Sequence, residues 1–470
     1  MLLLLSLAHA VTWAPCVAVD TAERAECATV TVPEDYAAVG EGISLVSITV
    51  ARLPAASTPT RHLWVTSPSV GASALVELTR WDERGLPDDV EVYALEHRGV
   101  GSNRMACPEQ EAASSPGGAA IEAEEIGACS VHLEPDLDAL AFIDTTQSAG
   151  DLMEVSEQLK DPDTSVFFVG SGYGAFLLQR ALVVSGRPEG VLLDGPWPDD
   201  ASLTQLDADL DTVARRILAA CDADDACIDR LGEGSERWIE DFLATGGGCD
   251  GAGRQTLATL AGGPPELQGL LPAVLMRSVR CKGDDVDALQ HLSDALASWE
   301  DHPGTSAAAA LHLSYAELWR GDAPDADGFL ATSGRAAALE AGLADWTLPF
   351  TPLTPRYPEH DRPVLLLHPE VAPLTRRDVG AHYGWEEHHQ LDVPGAFGPV
   401  TDTECGLDLL TAFLDDPTTS PPGCDASLDF VGSEGIDQAW LGTADRWGRG
   451  GCGCSQGPPT RSWWSLLSRR

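Results

Sequence analysis

The stretch Ser165-Val166-Phe167-Phe168-Val169-Gly170-Ser171-Gly172-Tyr173-Gly174 decides the fold of this 470-residue chain. An apolar run rich in β-branched and aromatic residues ends in a cluster of glycines. Ala175-Phe176-Leu177-Leu178-Gln179-Arg180 then follows with a helical pattern. This order is typical of a buried parallel strand that turns sharply into a helix. The sequence therefore predicts an α/β protein with this turn at its centre.

The glycine spacing of the turn resembles the G-x-S-x-G nucleophile elbow of the α/β-hydrolases. Only one frame fits, because Gly170 and Gly174 supply the small residues on either side of position 172. In the frame of Ser171 the flanking residues would be Val169 and Tyr173, which are too bulky for so tight a backbone. Gly172, which has no side chain, therefore occupies the position of the nucleophile.

Other motifs follow in the order found in the secreted tripeptidyl aminopeptidase and proline iminopeptidase-like branch of the α/β-hydrolases. They are Trp13-Ala-Pro-Cys16, the segment from Cys27 through Val32-Pro33 to Tyr36, a strand ending in Ala51-Arg52, and Tyr93-Ala-Leu-Glu-His97-Arg98-Gly99-Val-Gly101. The resemblance covers roughly residues 13–430. It implies an α/β-hydrolase fold, a mostly parallel sheet flanked by helices, with an inserted helical cap.

The resemblance also implies where the remaining members of a Ser-Asp-His triad would stand. The segment from Pro363 to Thr375 resembles P-x-L-L-L-x-G-x-x-D-x-x-T, and its aspartate position holds Ala372. Gly395-Ala396-Phe397-Gly398 resembles the small-x-H-G turn, and its histidine position holds Phe397. The triad is therefore predicted to be vacated at Gly172, Ala372 and Phe397, and one loss already costs most of the activity of a triad.

The oxyanion loop is expected to be degenerate as well. The family has a glycine-rich turn where this chain has Ser67-Pro68-Ser69-Val70-Gly71. Branched Val70 should resist the backbone angles that glycine permits. We interpret Ser69, Val70 and Tyr173 as remnants of this loop and of the elbow.

An active hydrolase with relocated catalytic groups is the main alternative. Its candidate catalytic residues would be Ser69, Ser102, Ser171, His368 and His389. We interpret His97 and Asp194 as turn residues, because the matching H-R-G-x-G and D-G motifs of the family are structural.

The order of patterns predicts five parts. They are a signal peptide at 1–10 that ends in Ala8-His9-Ala10, a first part of the core at 11–198, a helical cap at 199–345, a second part of the core at 346–440, and a Gly/Cys-rich tail at 441–470. The cap prediction rests on helical spacing that lies between buried-strand patterns. The tail is either a surface-sorting tag or a disordered segment closed by a Cys452–Cys454 bridge.

Cysteine usage favours an exported protein with disulfides. Ten of the twelve cysteines form pairs that are close in sequence and resemble loops of the family. The pairs are Cys16/Cys27, Cys107/Cys129, Cys221/Cys227, Cys249/Cys281 and Cys405/Cys424. Zinc-site spacing is missing from the sequence, and disulfides are typical of secreted chains. The expected location is secreted, periplasmic or at the cell surface.

Charge narrows the range of partners. The chain has 29 basic and 73 acidic residues, so its formal net charge of −44 makes nucleic acid and anionic membranes poor partners. No apolar run reaches the length of a membrane span. We expect no cofactor, because the glycines at 170, 172 and 174 lack the G-x-G-x-x-G spacing. We also expect no metal, since His388 and His389 are neighbours on a strand and point to opposite faces.

Three functions remain open from the sequence. The first is an exported, non-catalytic protein that binds a peptide or small molecule under the cap. The second is the active serine hydrolase or peptidase with relocated groups. The third is a surface structural domain without a ligand. The long insertion favours the first, because caps cover pockets.

Overall fold

The computed structural model describes residues 11–430 apart from a set of short segments. The segments left out are 17–20, 39–42, 113, 117–119, 185–187, 233, 247–248, 250–252, 301–303, 322–327, 331–334, 349–361, 377–378, 384 and 386–387. The predicted signal peptide at 1–10 and the Gly/Cys-rich tail at 441–470 lie outside the described residues.

The described residues form one nine-stranded sheet. Its strands are β1 (Ala14–Pro15), β2 (Glu26–Pro33), β3 (Leu45–Leu53), β4 (Arg61–Val65), β5 (Val90–Leu95), β6 (Ser165–Ser171), β7 (Gly190–Asp194), β8 (Val364–Pro369) and β9 (His388–Val393). Their spatial order is β1-β2-β3-β5-β4-β6-β7-β8-β9. The first three pairings are antiparallel, and all pairings from β5 onward are parallel.

Helices cover both faces of the sheet. They are α1 (Glu77–Asp82), α2 (Ile126–Leu133), α3 (Leu137–Leu140), α4 (Thr145–Leu159), α5 (Tyr173–Val184), α6 (Leu206–Cys221), α7 (Asp225–Leu231), α8 (Ser235–Ala244), α9 (Arg254–Gly262), α10 (Pro265–Gln268), α11 (Leu271–Arg280), α12 (Gly283–Glu300), α13 (Ala307–Leu313), α14 (Arg335–Leu343), α15 (Val379–Tyr383) and α16 (Glu404–Asp415). Every helix among the described residues is too short or too polar to cross a bilayer.

Alternation along β6 explains why the sheet is buried on both sides. Val166 and Phe168 pack into one apolar cluster with α4 and α5, whereas Phe167 and Val169 pack into another with α1 and α16. Strand side chains alternate between the two faces, so a strand that is apolar throughout needs helices on both. The predicted α/β-hydrolase fold, a mostly parallel sheet flanked by helices, is confirmed.

The segment between β7 and β8 is mainly helical. It carries α6 to α14, in the stretch for which the cap is predicted. Many of these helices share an apolar cluster of their own, built around residues such as Leu210, Phe242, Leu275 and Leu289. This cluster also includes Phe397, which follows β9, so it joins the insertion to the sheet domain.

Four of the predicted disulfides are present in the structure. They are Cys16–Cys27, Cys107–Cys129, Cys221–Cys227 and Cys405–Cys424.

The fifth predicted disulfide needs a correction, because Cys249 and Cys281 are free thiols in the structure. Cys281 follows α11 in a left-handed conformation with φ of +47°, and its Sγ lies 2.8 Å from the carbonyl oxygen of Ser278. Its sulfur is therefore held against the end of its own helix.

Candidate functional site

The elbow is a tight backbone turn between β6 and α5. Gly172 has φ of +52°, which is the left-handed region that favours glycine. Its N–H donates to the carbonyl oxygen of Asp194 at 3.3 Å. A Cβ atom at Gly170 or Gly174 would lie 2.5 Å or 2.3 Å from Oγ1 of Thr66. The space beside β4 therefore demands glycine on both sides of position 172.

A backbone carbonyl lies over the elbow. The N–H of Tyr173 donates to the carbonyl oxygen of Pro68 at 3.0 Å. In active enzymes of this fold, the N–H that follows the nucleophile is a donor of the oxyanion hole. A Cβ atom at Gly172 would be only 2.8 Å from the same Pro68 oxygen. One carbonyl group thus uses the oxyanion donor and limits the room for a nucleophile.

The loop that carries Pro68 is fixed by one hydrogen bond within it and by one to the insertion. The Ser67 hydroxyl donates to the carbonyl oxygen of Ser69 at 3.2 Å, and the N–H of Ser306 donates to the carbonyl oxygen of Gly71 at 2.9 Å. A Cβ atom at Gly71 would lie 2.7 Å from the Ala310 side chain, so α13 presses directly on the loop. The insertion therefore fixes the loop in its place over the elbow.

The turn after β8 holds Ala372 at the predicted acid position. Ala372 is half-buried, and its carbonyl oxygen accepts a hydrogen bond from Oγ1 of Thr375 at 3.0 Å. Leu374 has φ of +60°, and its N–H donates to Oδ2 of Asp209 at 2.8 Å. A carboxylate of α6 thus reaches this turn, but it bonds the backbone.

Phe397 stands at the predicted histidine position and packs among the helices of the insertion. It is 5 % exposed and belongs to the same apolar cluster as Leu210 and Leu275. Its carbonyl oxygen accepts a hydrogen bond from Nε2 of Gln268 at 2.7 Å. The ring and the backbone of this residue both serve the contact between the sheet and the insertion.

Asp194 is a buried structural carboxylate, in line with its interpretation as a turn residue. It accepts hydrogen bonds from the N–H of Val400 at 2.9 Å and from the N–H and hydroxyl of Thr401 at 2.7 Å each. Complete burial raises the pKa of Asp194, and these hydrogen bonds oppose that rise. The carboxylate ties the end of β7 to the segment after β9.

His97 lies beside the elbow as a buried imidazole. Its Nδ1 is 3.0 Å from the carbonyl oxygen of Arg98, and its ring meets that of Tyr173 edge to face at 5.8 Å. Burial lowers the pKa of His97, and hydrogen bonds to the backbone oppose that shift. The two rings line a cavity together with Thr66, Ser67, Ala74, Leu95, Ser148, Leu152 and Leu177. This cavity has free space for about one water molecule.

The groups that a relocated active site would use are spread over the fold. Ser102 shares a hydrogen bond of 2.9 Å with Thr49 of β3, and Nε2 of His389 is 3.0 Å from the carbonyl oxygen of Thr418. Ser171 and His368 are buried within β6 and β8. Ser69 exchanges hydrogen bonds with Ser67 and accepts the N–H of Ala72 at 3.4 Å. Ser102 thus lies beside β3, whereas His389 lies in the edge strand β9.

The histidines of the sheet do not form a metal site. In the part of the chain that the structure describes, no group of three His, Cys, Asp or Glu side chains could hold a metal ion. Nδ1 of His388 is 2.8 Å from the carbonyl oxygen of Trp385, whereas His389 bonds Thr418. The two imidazoles are engaged with separate parts of the backbone.

Sequence reasoning missed the residues that fasten the insertion to the site. Asp209, Gln268 and Ser306 each bond the backbone of a turn for which the sequence resemblance predicts a triad or oxyanion position. Glu317 pairs with Arg180 of α5 at 3.2 Å. These contacts join residues more than a hundred positions apart, and no local spacing signals them.

Comparison with known proteins adds little beyond the fold. No family model matches the chain, and no curated protein matches it. Among solved structures, the peroxisomal alpha-beta-hydrolase Lpx1 of Saccharomyces cerevisiae is 11% identical with a TM-score of 0.39, covering 85% of this chain and 92% of its own. The esterase EaEST of Exiguobacterium antarcticum is 10% identical with a TM-score of 0.33, covering 85% and 98%.

A carboxyl esterase of Bacillus coagulans is 12% identical with a TM-score of 0.32, covering 79% of this chain and 95% of its own. Scores this low support no functional argument, and the fold assignment rests on the strand order given above. The narrower resemblance to the secreted aminopeptidase branch stays a prediction.

Proposed function

We propose that this chain is an exported, non-catalytic protein of the α/β-hydrolase fold that acts by binding a peptide or another small molecule. The 3.0 Å hydrogen bond from the Tyr173 N–H to the Pro68 carbonyl oxygen carries the non-catalytic part of the proposal. An oxyanion hole works only when its donors point at the position of the developing charge. Here the chain's own carbonyl takes that donor.

The vacated triad positions support the same proposal. Gly172 offers no nucleophile, and Ala372 and Phe397 offer neither carboxylate nor imidazole. The backbone around each of them bonds the insertion or the oxyanion loop, as described above. A catalytic apparatus needs groups that meet at one reacting atom, whereas here the same turns serve as packing contacts.

Export is supported by the cysteines. Four disulfides join loops on both halves of the sheet domain and in the insertion. Disulfides persist in oxidising compartments such as the periplasm and the cell exterior. The short apolar run before residue 11 fits the same location.

Binding is supported by the surroundings of Gly172. Trp197 is half-buried, and its Cζ2 would lie 3.6 Å from a Cβ atom at Gly172. Trp197 also packs against the apolar cluster that α4 and α5 form with the sheet. Partly accessible tryptophans supply large apolar contact area for a ligand.

A surface structural domain is the second candidate, and one observation favours it. The cavity at His97 and Tyr173 has space for about one water molecule, far below the several hundred Å³ of ordinary ligand pockets. This cavity is therefore too small to hold a peptide.

Two measurements on the mature protein separate these functions. A fluorophosphonate probe and chromogenic aminoacyl and short-acyl esters should give neither labelling nor turnover, and labelling would favour the relocated hydrolase. Thermal-shift titration with a defined set of tripeptides and short-chain fatty acids should raise the melting temperature, because ligands that bind only the native state stabilise it. The structural domain would be favoured by two negative results together. No compound of the set would raise the melting temperature, and the compounds would change the fluorescence of the wild type no more than that of Trp197→Phe.

A further inference from the structure

Two free thiols lie at the carboxyl end of α11. Cys249 and Cys281 are the free cysteines among the described residues, whereas the other eight described cysteines form the four disulfides. Both belong to the insertion, with Cys249 between α8 and α9 and Cys281 directly after α11. The proposed function uses neither of them.

The two cysteines contact the same two backbone carbonyls, those of Arg277 and Ser278. The N–H of Cys249 donates to the Ser278 oxygen at 3.1 Å, and its Sγ lies 3.8 Å from the Arg277 oxygen. Cys281 contacts them in the opposite sense. Its N–H donates to the Arg277 oxygen at 3.0 Å, and its Sγ lies 2.8 Å from the Ser278 oxygen. Two contacts from each residue thus hold the cysteines side by side.

The thiols also contact each other at a position that is open to solvent. Burial and a hydrogen bond with the Cys281 thiol raise the pKa of the Cys249 thiol. Cys281 has φ of +47°, and a left-handed residue commonly ends a helix. Cys281 is exposed and Cys249 is half-buried, so an ion from solvent can reach the pair.

The surroundings of the pair suit a cation. Carbonyl groups at the end of a helix carry partial negative charge, and those of Arg277 and Ser278 contact the two sulfur atoms. The guanidinium groups of Arg277 and Arg280 are paired with buried Asp285, at 3.0 Å and 2.5 Å. Lys282 is exposed, so solvent and salt screen its charge. The nearby positive charges are therefore offset.

Two thiolates without further ligands favour a soft monovalent metal ion. Structural zinc sites in proteins have four ligands, and no third His, Cys, Asp or Glu of the described residues joins this pair in a group that could hold a metal. Soft sulfur ligands select Cu(I), and two thiolates can satisfy this ion.

We propose that Cys249 and Cys281 form a two-sulfur binding site for Cu(I). Each thiol releases its proton to solvent as its Cu–S bond forms, and no electron is transferred. The site lies in the insertion and does not depend on whether the elbow binds a ligand.

Competition with the chromogenic chelator bicinchoninate, in the absence of oxygen, tests this site. The wild type should bind about one Cu(I) per chain through its two thiolates. Cys249→Ser and Cys281→Ser should each bind Cu(I) more than about 100-fold more weakly, since even loss of a group that only orients a metal ligand costs up to that much. Asp284→Asn is the matched control for copper held by the acidic surface, because Asp284 is exposed near the pair. It should bind Cu(I) like the wild type.

A second measurement uses the wild type alone and so does not depend on the folding of a variant. One equivalent of Cu(I) should slow the alkylation of both thiols by iodoacetamide. Unchanged alkylation rates would overturn the proposal, as would equal Cu(I) affinities in the wild type and the two serine variants. Loss of affinity in only one serine variant would mean capture by a single thiol. A peptide that joins Cys249 to Cys281 in the untreated protein would show a disulfide in place of two metal ligands.

Discussion

The N–H of Tyr173 donates a hydrogen bond of 3.0 Å to the carbonyl oxygen of Pro68, across 105 positions of sequence. This bond fixes the loop at residues 67–71 over the elbow. It also uses the backbone donor that would otherwise face a substrate carbonyl. The elbow of this protein is thus closed by its own backbone, and the insertion holds that closure through Ser306.

Introducing serine at the elbow should destabilise the protein without creating activity. The Cβ atom of Gly172→Ser would lie 2.8 Å from the Pro68 oxygen, at a residue with φ of +52°. We expect a loss of roughly 1–3 kcal/mol in the free energy of unfolding, measured by urea denaturation, and no esterase or aminopeptidase turnover.

Gly85→Ser separates the two causes of that loss. Gly85 has φ of +66°, but a Cβ atom there would have nothing within 4 Å. The control should therefore lose less stability than Gly172→Ser. Equal losses would show that the Pro68 carbonyl moves aside at no cost.

Rebuilding the triad should restore activity weakly at best. The triple variant Gly172→Ser, Ala372→Asp, Phe397→His still lacks a free oxyanion donor, because Pro68 accepts the Tyr173 N–H. It also places an imidazole at a site that is 5 % exposed among apolar side chains. Ester hydrolysis measured beside Phe397→Leu, which keeps the site apolar, should differ little from background. Robust turnover would contradict the closed elbow.

The sequence predicted the sheet far better than the site. The strand, turn and helix at residues 165–184 follow from local periodicity, because β6 is apolar on both faces and α5 begins at Tyr173, directly after Gly172. The packing of Phe397 could not be predicted, because its neighbours are helices of the insertion. The Pro68 contact could not be predicted either, since every residue has a backbone carbonyl and the residue types do not indicate which donor it binds. We predicted the pairing of Cys249 with Cys281 from the family resemblance and from their closeness in sequence. Neither indicates the direction in which a sulfur atom points.

The pair Arg180–Glu317 should anchor the insertion to the elbow helix. Their side chains are 3 % and 2 % exposed, and Glu317 also accepts the N–H of Thr145 at 2.7 Å. Removing one partner leaves a buried charge, so Glu317→Ala should lower the free energy of unfolding by roughly 3–5 kcal/mol. The exposed pair Arg237–Asp241 supplies the control, and Asp241→Ala should cost less than about 1 kcal/mol. Similar losses in the two variants, measured by urea denaturation, would refute the anchoring role.

The two free thiols should react at different rates. Cys281 is exposed, whereas Cys249 is half-buried, and burial together with the neighbouring Cys281 raises the pKa of the Cys249 thiol to about 12. Because the thiolate is the nucleophile, iodoacetamide at pH 8 should modify Cys281 well before Cys249. Peptide mapping without reductant measures both rates. If neither cysteine is modified and a peptide joining them is found, the fifth disulfide forms after all.

Glu96 should make the protein more stable in mild acid than at neutral pH. Its side chain is 2 % exposed, accepts a hydrogen bond from Ser73, and has no other hydrogen-bond partner among the described residues. Burial raises the pKa of Glu96 from 4.5 to about 7. Between these two values the folded state binds more protons than the unfolded state, so the free energy of unfolding falls as the pH rises, by about 3 kcal/mol at most. Glu96→Gln cannot titrate, so its free energy of unfolding, measured by urea denaturation between pH 4.5 and 8, should depend less on pH than that of the wild type. The control is Glu157→Gln at an exposed position, and it should keep the full pH dependence. An unchanged slope in Glu96→Gln would mean that this carboxyl group titrates alike in the folded and unfolded states.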